Sequence, residues 1–171
     1  GIAELAECVD LGGRRTIKKK AFAKEKEIDF VIVGPDDPLA AGVADAFLDA
    51  GIKTFGPRKN AAIIEASKAF SKDLMKKYDI PSAKYETFTD PGKALDFLKT
   101  MNPPYVIKAD GLALGKGVLI CQNLDEASAG IREIMIDKKF GDSGNKIVIE
   151  EFMTGREVSV LCYSDGKTIR P

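Results

Sequence analysis

The sequence of 171 residues contains no histidine and no tryptophan, and its 26 lysines and arginines are balanced by 26 acids. Without histidine, an imidazole general base, a Ser-His-Asp triad and a His-ligated metal are excluded within this chain. A formal charge of zero removes the basic excess with which a dedicated nucleic-acid binder meets phosphates, and the mixed charges read as a solvated surface. Cysteine is scarce. Cys8, Cys121 and Cys162 lie far apart, show no C-x-x-C spacing and leave one thiol over, which argues against a disulfide framework or zinc site. Each reads as a small buried apolar residue in a reducing cytosol. No apolar run approaches the roughly 20 residues of a membrane span, and no basic-then-apolar pattern marks a signal peptide. The chain begins with Gly1, so it is expected to be processed or cut.

What is present is ordinary globular material: 44% hydrophobic and 30% charged residues. A chain of this length buries roughly 70% of its unfolded surface, in one core or two small lobes. The signals begin with a short strand expected at Glu7–Asp10 and a basic stretch from Arg14 to Lys24, read as a solvated helix face or loop. Phe30-Val31-Ile32-Val33, stopped by Gly34-Pro35, is an unbroken apolar run and predicts a buried parallel strand. Leu39, Val43, Phe47 and Ala50 recur at helical spacing until Gly51, and Ile52 to Phe55 gives a second strand before Gly56-Pro57. Strand, helix, strand with short connections is a βαβ unit, the mark of a doubly wound domain.

Residues 59–78 predict a helical pair, with an apolar stripe of Phe70, Leu74 and Tyr78 on the second helix, ended by Pro81. A strand at Lys84–Phe88 and a helix at Pro91–Met101 follow. Two β-rich segments, Tyr105–Lys108 and Val118–Cys121, flank Asp110-Gly111-Leu112-Ala113-Leu114-Gly115-Lys116-Gly117. A helix at Leu124–Ile136, a strand at Lys146–Glu151 and a strand at Glu157–Tyr163 entering a turn at 164–167 complete the pattern.

The glycine-rich segment is not a Walker A loop: Gly117 stands where that motif needs Ser or Thr, and the chain continues as strand instead of helix. It is either a flexible surface hairpin or a loop that folds over phosphates with its backbone N–H groups. Lys108 shares one strand face with Val106, opposite Tyr105 and Ile107; its ammonium either snorkels to water or pairs with an anion. Glu150 and Glu151 end an apolar strand and Glu157 opens the next segment. Acids so placed are either a charged turn or partners for donors such as an adenine amino group and a ribose diol, with Phe152 or Met153 as an apolar wall.

These residues resemble those of the phosphoribosylamine–glycine ligase family of ATP-grasp enzymes. The likeness runs through Val106 to Val118, Ile149-Glu150-Glu151-Phe152, Gly155-Arg156-Glu157-Val158-Ser159, Val33 to Leu39, Phe55-Gly56-Pro57 and Ser67-Lys68-Ala69-Phe70-Ser71-Lys72. The resemblance implies an α/β architecture: the remainder of a doubly wound Rossmann-like N-terminal domain over 1–58, then part of an ATP-grasp domain over 59–171, with its small glycine-loop lobe at about 82–150. It implies ATP binding by Lys68, Lys108, Asp110, Gly111, Gly115, Lys116 and Gly117 at the phosphates, and by Glu150, Glu151, Phe152, Met153 and Glu157 at the nucleoside. Lys108 is the catalytic candidate, and Gly34, Pro35 and Asp36 are the candidates for contact with 5-phosphoribosylamine. The implied reaction joins glycine to that amine with ATP and Mg²⁺ or Mn²⁺, the metal ligands being expected beyond Pro171. The implied setting is cytoplasmic, with no nucleic-acid or membrane partner, as a monomer or weak homo-oligomer. Asp36, where the family usually has Glu, is one methylene shorter; Leu114 and Arg58 also depart from the pattern. The family's glycine-rich first loop and its acidic and Asn metal ligands have no counterpart between Gly1 and Pro171, so this segment is expected to be catalytically incomplete. The rival readings are another ATP-grasp carboxylate–amine ligase and a non-catalytic nucleotide-binding module.

Overall fold

The computed structural model describes residues 21–113 and 116–171; the strand expected at Glu7–Asp10, the basic stretch up to Lys20, Leu114 and Gly115 lie outside them. Strands β1 (Phe30–Ile32) and β2 (Lys53–Phe55) pair in parallel, with Val31 opposite Thr54. Parallel pairing requires a crossover. Here it consists of two short helices, α1 (Asp36–Ala40) and α2 (Val43–Leu48), where the spacing predicts one. Gly42 makes the break: its φ of +87° lies in the left-handed region, which glycine enters without steric penalty. Leu39, Val43, Ala44 and Phe47 pack with Val31, Val33, Ile52 and Ala62 in one buried cluster. Phe30 and Ile32 point the other way and are exposed, so β1 is buried on one face where its apolar run predicts two. Both helices pack on the Val31 face.

Helices α3 (Lys59–Ala66) and α4 (Lys68–Lys77) lead onward. No side chain of its own N-cap serves α3; instead Asp45 of α2 accepts from Lys59 N at 2.7 Å and from the Arg58 guanidinium at 3.2 Å. That backbone amide is the main reason the Asp45 carboxyl lies below its usual range. Ser67 is extended between the helices and its hydroxyl accepts from Phe70 N at 3.1 Å, capping α4. The apolar stripe on α4 is not its buried face: Phe70 and Tyr78 are exposed, and the buried positions are Ala69 and Lys72. Hydrophobic periodicity misleads here because an ion pair accompanies the burial.

The second unit is a four-stranded antiparallel sheet of β3 (Tyr85–Phe88), β4 (Tyr105–Ala109), β5 (Val118–Cys121) and β6 (Ile147–Glu151) in the order β3-β6-β4-β5. One face lies under α5 (Pro91–Leu98) and α6 (Leu124–Ile131). Tyr105, Ile107, Ile147 and Ile149 meet Leu98, Ala127, Ile131 and Ile134 there, and form the larger core. Asp90 and Asn123 cap the two helices, accepting from Lys93 N and Glu126 N at 2.9 Å each. The helix expected to reach Ile136 does so by passing from α6 into a π-helical turn at Arg132–Ile136. Residues 157–162 carry no regular structure, contrary to the expected strand; only β7 (Tyr163–Ser164) forms, pairing with β8 (Ile169–Arg170) across the turn. Val158, Val160 and Leu161 are exposed, and among the described residues no strand pairs with them. No described helix is long and apolar enough to cross a membrane.

Candidate functional site

The sheet face opposite the larger core carries the chemistry. Because side chains alternate along a strand, packing Tyr105 and Ile107 inward turns Val106 and Lys108 outward. Cross-strand pairing then sets two rows on this face: Tyr85, Glu150, Val106 and Ile120, and beside them Thr87, Val148, Lys108 and Val118. Val118 and Ile120 on the edge strand are exposed.

Glu150 is 4% exposed and lies between two lysines. Lys72 Nζ, from α4, is 3.0 Å from its Oε2, and Lys108 Nζ, from β4, is 3.0 Å from its Oε1. Both contacts are ion pairs, and Oε1 accepts no aligned hydrogen bond. Lys72 also donates to Ser82 Oγ at 2.7 Å and stands 5.7 Å over the Tyr85 ring. The Tyr85 hydroxyl in turn donates to Asp73 at 2.7 Å, and burial first, then that carboxylate, push its pKa up to about 12.

The glycine-rich segment is anchored at its start. Asp110 accepts from Ser67 Oγ at 3.1 Å and from Ala69 N at 3.0 Å, and Lys146 lies 3.7 Å away. Lys68, the first residue of α4, donates to the Gly111 carbonyl at 2.7 Å. Burial pulls the Lys68 pKa below its ordinary value; the Asp110 charge opposes that, and the Lys108 charge adds to it. Gly111 has φ +103°, and a Cβ there would meet Ser143 Oγ at 2.9 Å. At the far end a Cβ on Gly117 would lie 2.7 Å from that of Ala113. Gly117 is therefore required by space and Gly111 by its left-handed backbone, since the Ser143 hydroxyl can rotate away. Lys116 is exposed; its backbone N–H donates to the Ala113 carbonyl at 2.9 Å, its side chain makes no hydrogen bond or ion pair among the described residues, and Gly115 lies outside them.

The other sequence candidates are placed differently. Glu151 accepts from Lys84 N at 2.9 Å, which ties its carboxylate to the start of β3. Phe152 and Met153 are exposed just past the sheet. Glu157 lies in the exposed stretch beyond them and makes no hydrogen bond or ion pair among the described residues. Gly34, Pro35 and Asp36 are exposed at the carboxyl end of β1 and the head of α1, in the first unit. The structure thus gathers Lys68, Lys108, Asp110, Gly111 and Glu150, and adds Lys72 and Ser67, to which sequence reasoning assigns no role. The signal for Lys72 was its position four residues after Lys68, one helical turn on and hence on a shared side of α4.

Two ammonium groups beside a glycine-rich hairpin, with exposed Val118 and Ile120 on the same sheet face, suit a ligand with phosphates at one end and a flat apolar ring at the other. A cavity of about 520 Å³ lies among Leu119, Cys121, Gly130, Arg132 and Glu133, and none of the three site lysines lines it. Among the described residues no three His, Cys, Asp or Glu side chains are grouped to hold a metal ion.

The fold is that of an ATP-grasp domain. Residues 66–171 match the profile of the phosphoribosylglycinamide synthetase ATP-grasp (A) domain, and residues 1–65 match that of the phosphoribosylglycinamide synthetase N domain. The chain belongs to the phosphoribosylglycinamide synthetase family. It is 45% identical to a phosphoribosylamine–glycine ligase of Pasteurella multocida over 170 residues, covering 99% of this chain and 40% of that protein. The crystal structure of a phosphoribosylamine–glycine ligase from Thermotoga maritima is 36% identical with a TM-score of 0.70, over 84% of this chain and 34% of that one. The biotin carboxylase domain of 2-oxoglutarate carboxylase from Hydrogenobacter thermophilus, solved with MgADP and bicarbonate, shares the fold: TM-score 0.68 at 20% identity, over 81% of this chain and 31% of that one. The chain spans about two-fifths of the length of the curated relatives it matches.

Proposed function

We propose that the complete gene product is an ATP-dependent ligase that joins glycine to 5-phosphoribosylamine in purine biosynthesis, and that this segment grips the ATP. The observation that carries the reading is that two lysine charges close enough to act on each other flank the start of the glycine-rich hairpin, Lys68 on the Gly111 carbonyl and Lys108 beside Glu150 on the sheet face. The names of the relatives and the MgADP of the biotin carboxylase neighbour support it.

The chemical difficulty is that glycine's carboxylate is a poor electrophile. Transfer of the γ-phosphoryl group to a carboxylate oxygen releases ADP and gives glycyl phosphate. The amine then attacks the acyl carbon, the C–N bond forms, the C–O bond to phosphate breaks, and the amine gives up a proton. The protein contributes position and charge. Lys68 and Lys108 meet the phosphates, with Lys108 as the catalytic group that follows the transferring charge. Gly111, Gly115, Lys116 and Gly117 close over them, and Asp110 fixes the loop. Glu150, Glu151, Phe152 and Met153 face the purine, Glu157 the ribose, and Gly34, Pro35 and Asp36 the phosphoribosylamine. Mg²⁺, when bound with the nucleotide, would supply further charge neutralisation at the phosphates; the described residues group no ligand set for it. The enzyme works in the cytoplasm as a monomer or weak homo-oligomer.

The test is ADP release by the complete gene product with ATP, glycine and 5-phosphoribosylamine, with mass detection of the amide. Turnover that requires both substrates is expected. Turnover that persists with a different carboxylate or amine and not with this pair would assign another ligase of the same fold.

A further inference from the structure

We propose that Lys72 is a positioning residue for the nucleotide: it takes up the charge of Glu150, and so leaves Lys108 available to phosphate. The inference rests on the ATP-binding reading of this sheet face.

An ammonium has three N–H donors and no acceptor. Lys72 donates to Ser82 Oγ at 2.7 Å, is paired with Glu150 Oε2 at 3.0 Å and stands 5.7 Å from the centre of the Tyr85 ring. The residue is 9% exposed. Buried among these groups, Lys72 has no open side for an anion and is no phosphate ligand itself. Lys108 is the converse. Its side chain is 27% exposed, against 11% for that of Lys72, and its ion-pair partner among the described residues is Glu150 Oε1. Its donors remain free to turn toward the hairpin.

Charge bookkeeping explains why the pair of lysines is needed. One carboxylate between two ammonium groups leaves a net charge of +1 in the trio. With Lys72 removed, the same buried carboxylate has Lys108 alone to balance it, and the net charge falls to zero. Lys108 would then be drawn into an aligned pair with Glu150, and a phosphate would meet an ammonium already neutralised. Removing one partner of a buried ion pair leaves the remaining charge to find another, and here the nearest other is the lysine that faces the ligand. Asp73, which holds the Tyr85 hydroxyl, keeps the third wall of the Lys72 site in place.

The experiment compares Lys72→Met, Lys72→Arg, Glu150→Gln and the Lys72→Met/Glu150→Gln double variant in the complete gene product, reading the KM values for ATP and glycine, kcat, and thermal unfolding. Lys72→Met should raise the ATP KM roughly 10- to 100-fold, the range for loss of a residue that orients a ligand-binding group, with the glycine KM within about twofold. Lys72→Arg, which keeps the charge, should recover most of it. The double variant should bind ATP no worse than Glu150→Gln alone, because a neutral Gln makes no demand on Lys108. Lower thermal stability of Lys72→Met with an unchanged ATP KM would overturn the proposal and leave Lys72 as a strut between α4 and β6. If Lys72→Met does not fold, the double variant decides, since it leaves no unpaired buried charge: ATP binding about tenfold weaker than in Glu150→Gln would overturn the proposal. Failure of the underlying reading is separate, because the unaltered protein would then show no saturable use of ATP.

Discussion

Replacing Asp110 with alanine should destabilise the protein and loosen its hold on ATP together. The side chain is 14% exposed and serves as a clasp, taking hydrogen bonds from Ser67 Oγ at 3.1 Å and Ala69 N at 3.0 Å, with Lys146 at 3.7 Å. A hydrogen bond to a charged group contributes about 1.5–3 kcal/mol. The Ser67 hydroxyl keeps its second task, capping α4 through Phe70 N, so its loss is at the low end. The Ala69 N–H is orphaned at a helix start, which alone costs about 1 kcal/mol. The half-exposed Lys146 pair adds less than about 1 kcal/mol. Together these give about 3 kcal/mol for Asp110→Ala, and about half of that for Asp110→Asn, which keeps an acceptor but no charge. Urea unfolding of the complete gene product measures the first quantity and calorimetry with ATP the second. ATP affinity should fall because Asp110 is the main influence that holds the Lys68 pKa up against burial, and because the hairpin loses its fixed end. A stability change below about 0.5 kcal/mol for Asp110→Ala, within the range of ordinary surface substitutions, would refute the clasp.

Lys108→Met should lower kcat by about 100-fold or more, as expected when a donor aimed at developing charge is lost, while unfolding shifts little because Glu150 keeps Lys72; steady-state kinetics and a melting curve check both. ATP affinity should decline toward alkaline pH sooner than an ordinary lysine dictates. The Lys68 pKa is lowered in the free protein, chiefly by burial, and phosphate favours its charged form. Affinity is then full below that depressed pKa, and falls as pH rises through it toward the ordinary value of 10.5. Calorimetry across pH should show this, with the fall moved upward in Lys68→Arg. Gly144→Ala should cost about 3 kcal/mol or more, since its Cβ would collide with the backbone carbonyl of Ile134, whereas Gly130→Ala meets only the tip of Leu119, at 2.8 Å, and should cost less. Urea midpoints of the two variants give the comparison.

The sheet lobe was the most legible part of the chain. Tyr105 to Lys108 alternates core and ligand faces residue by residue, and Asn102-Pro103-Pro104 and Gly117 punctuate the strand and hairpin, so β4 and β5 read almost as they stand. What could not be read was the insertion of β6 between β3 and β4, because that pairing is made between distant segments and leaves no local mark. The break at Gly42 was missed for a different reason: an isolated glycine after two alanines leaves the helical period intact, and only its left-handed backbone ends the turn. On α4 the aromatic stripe pointed to the wrong face. Phe70 and Tyr78 are left exposed while a lysine is buried, and a lysine's burial depends on an acid that arrives from another element.

Zero net charge acquires a local meaning in this site. With no basic field to draw an anion from a distance, affinity for phosphates depends on which ammonium groups still have free donors once the protein's own acceptors are served. Lys72 is spent on Glu150 and Ser82, and Lys68 donates to the Gly111 carbonyl. That carbonyl contact is the weaker commitment, because it joins an ammonium to a neutral acceptor, and a phosphate oxygen carrying full charge outcompetes it. Lys68 would therefore turn from Gly111 to the ligand on binding, releasing the carbonyl at the start of the hairpin while Asp110 keeps the hairpin's base in place. The fixed contact and the exchangeable one are thus adjacent residues, Asp110 and Gly111.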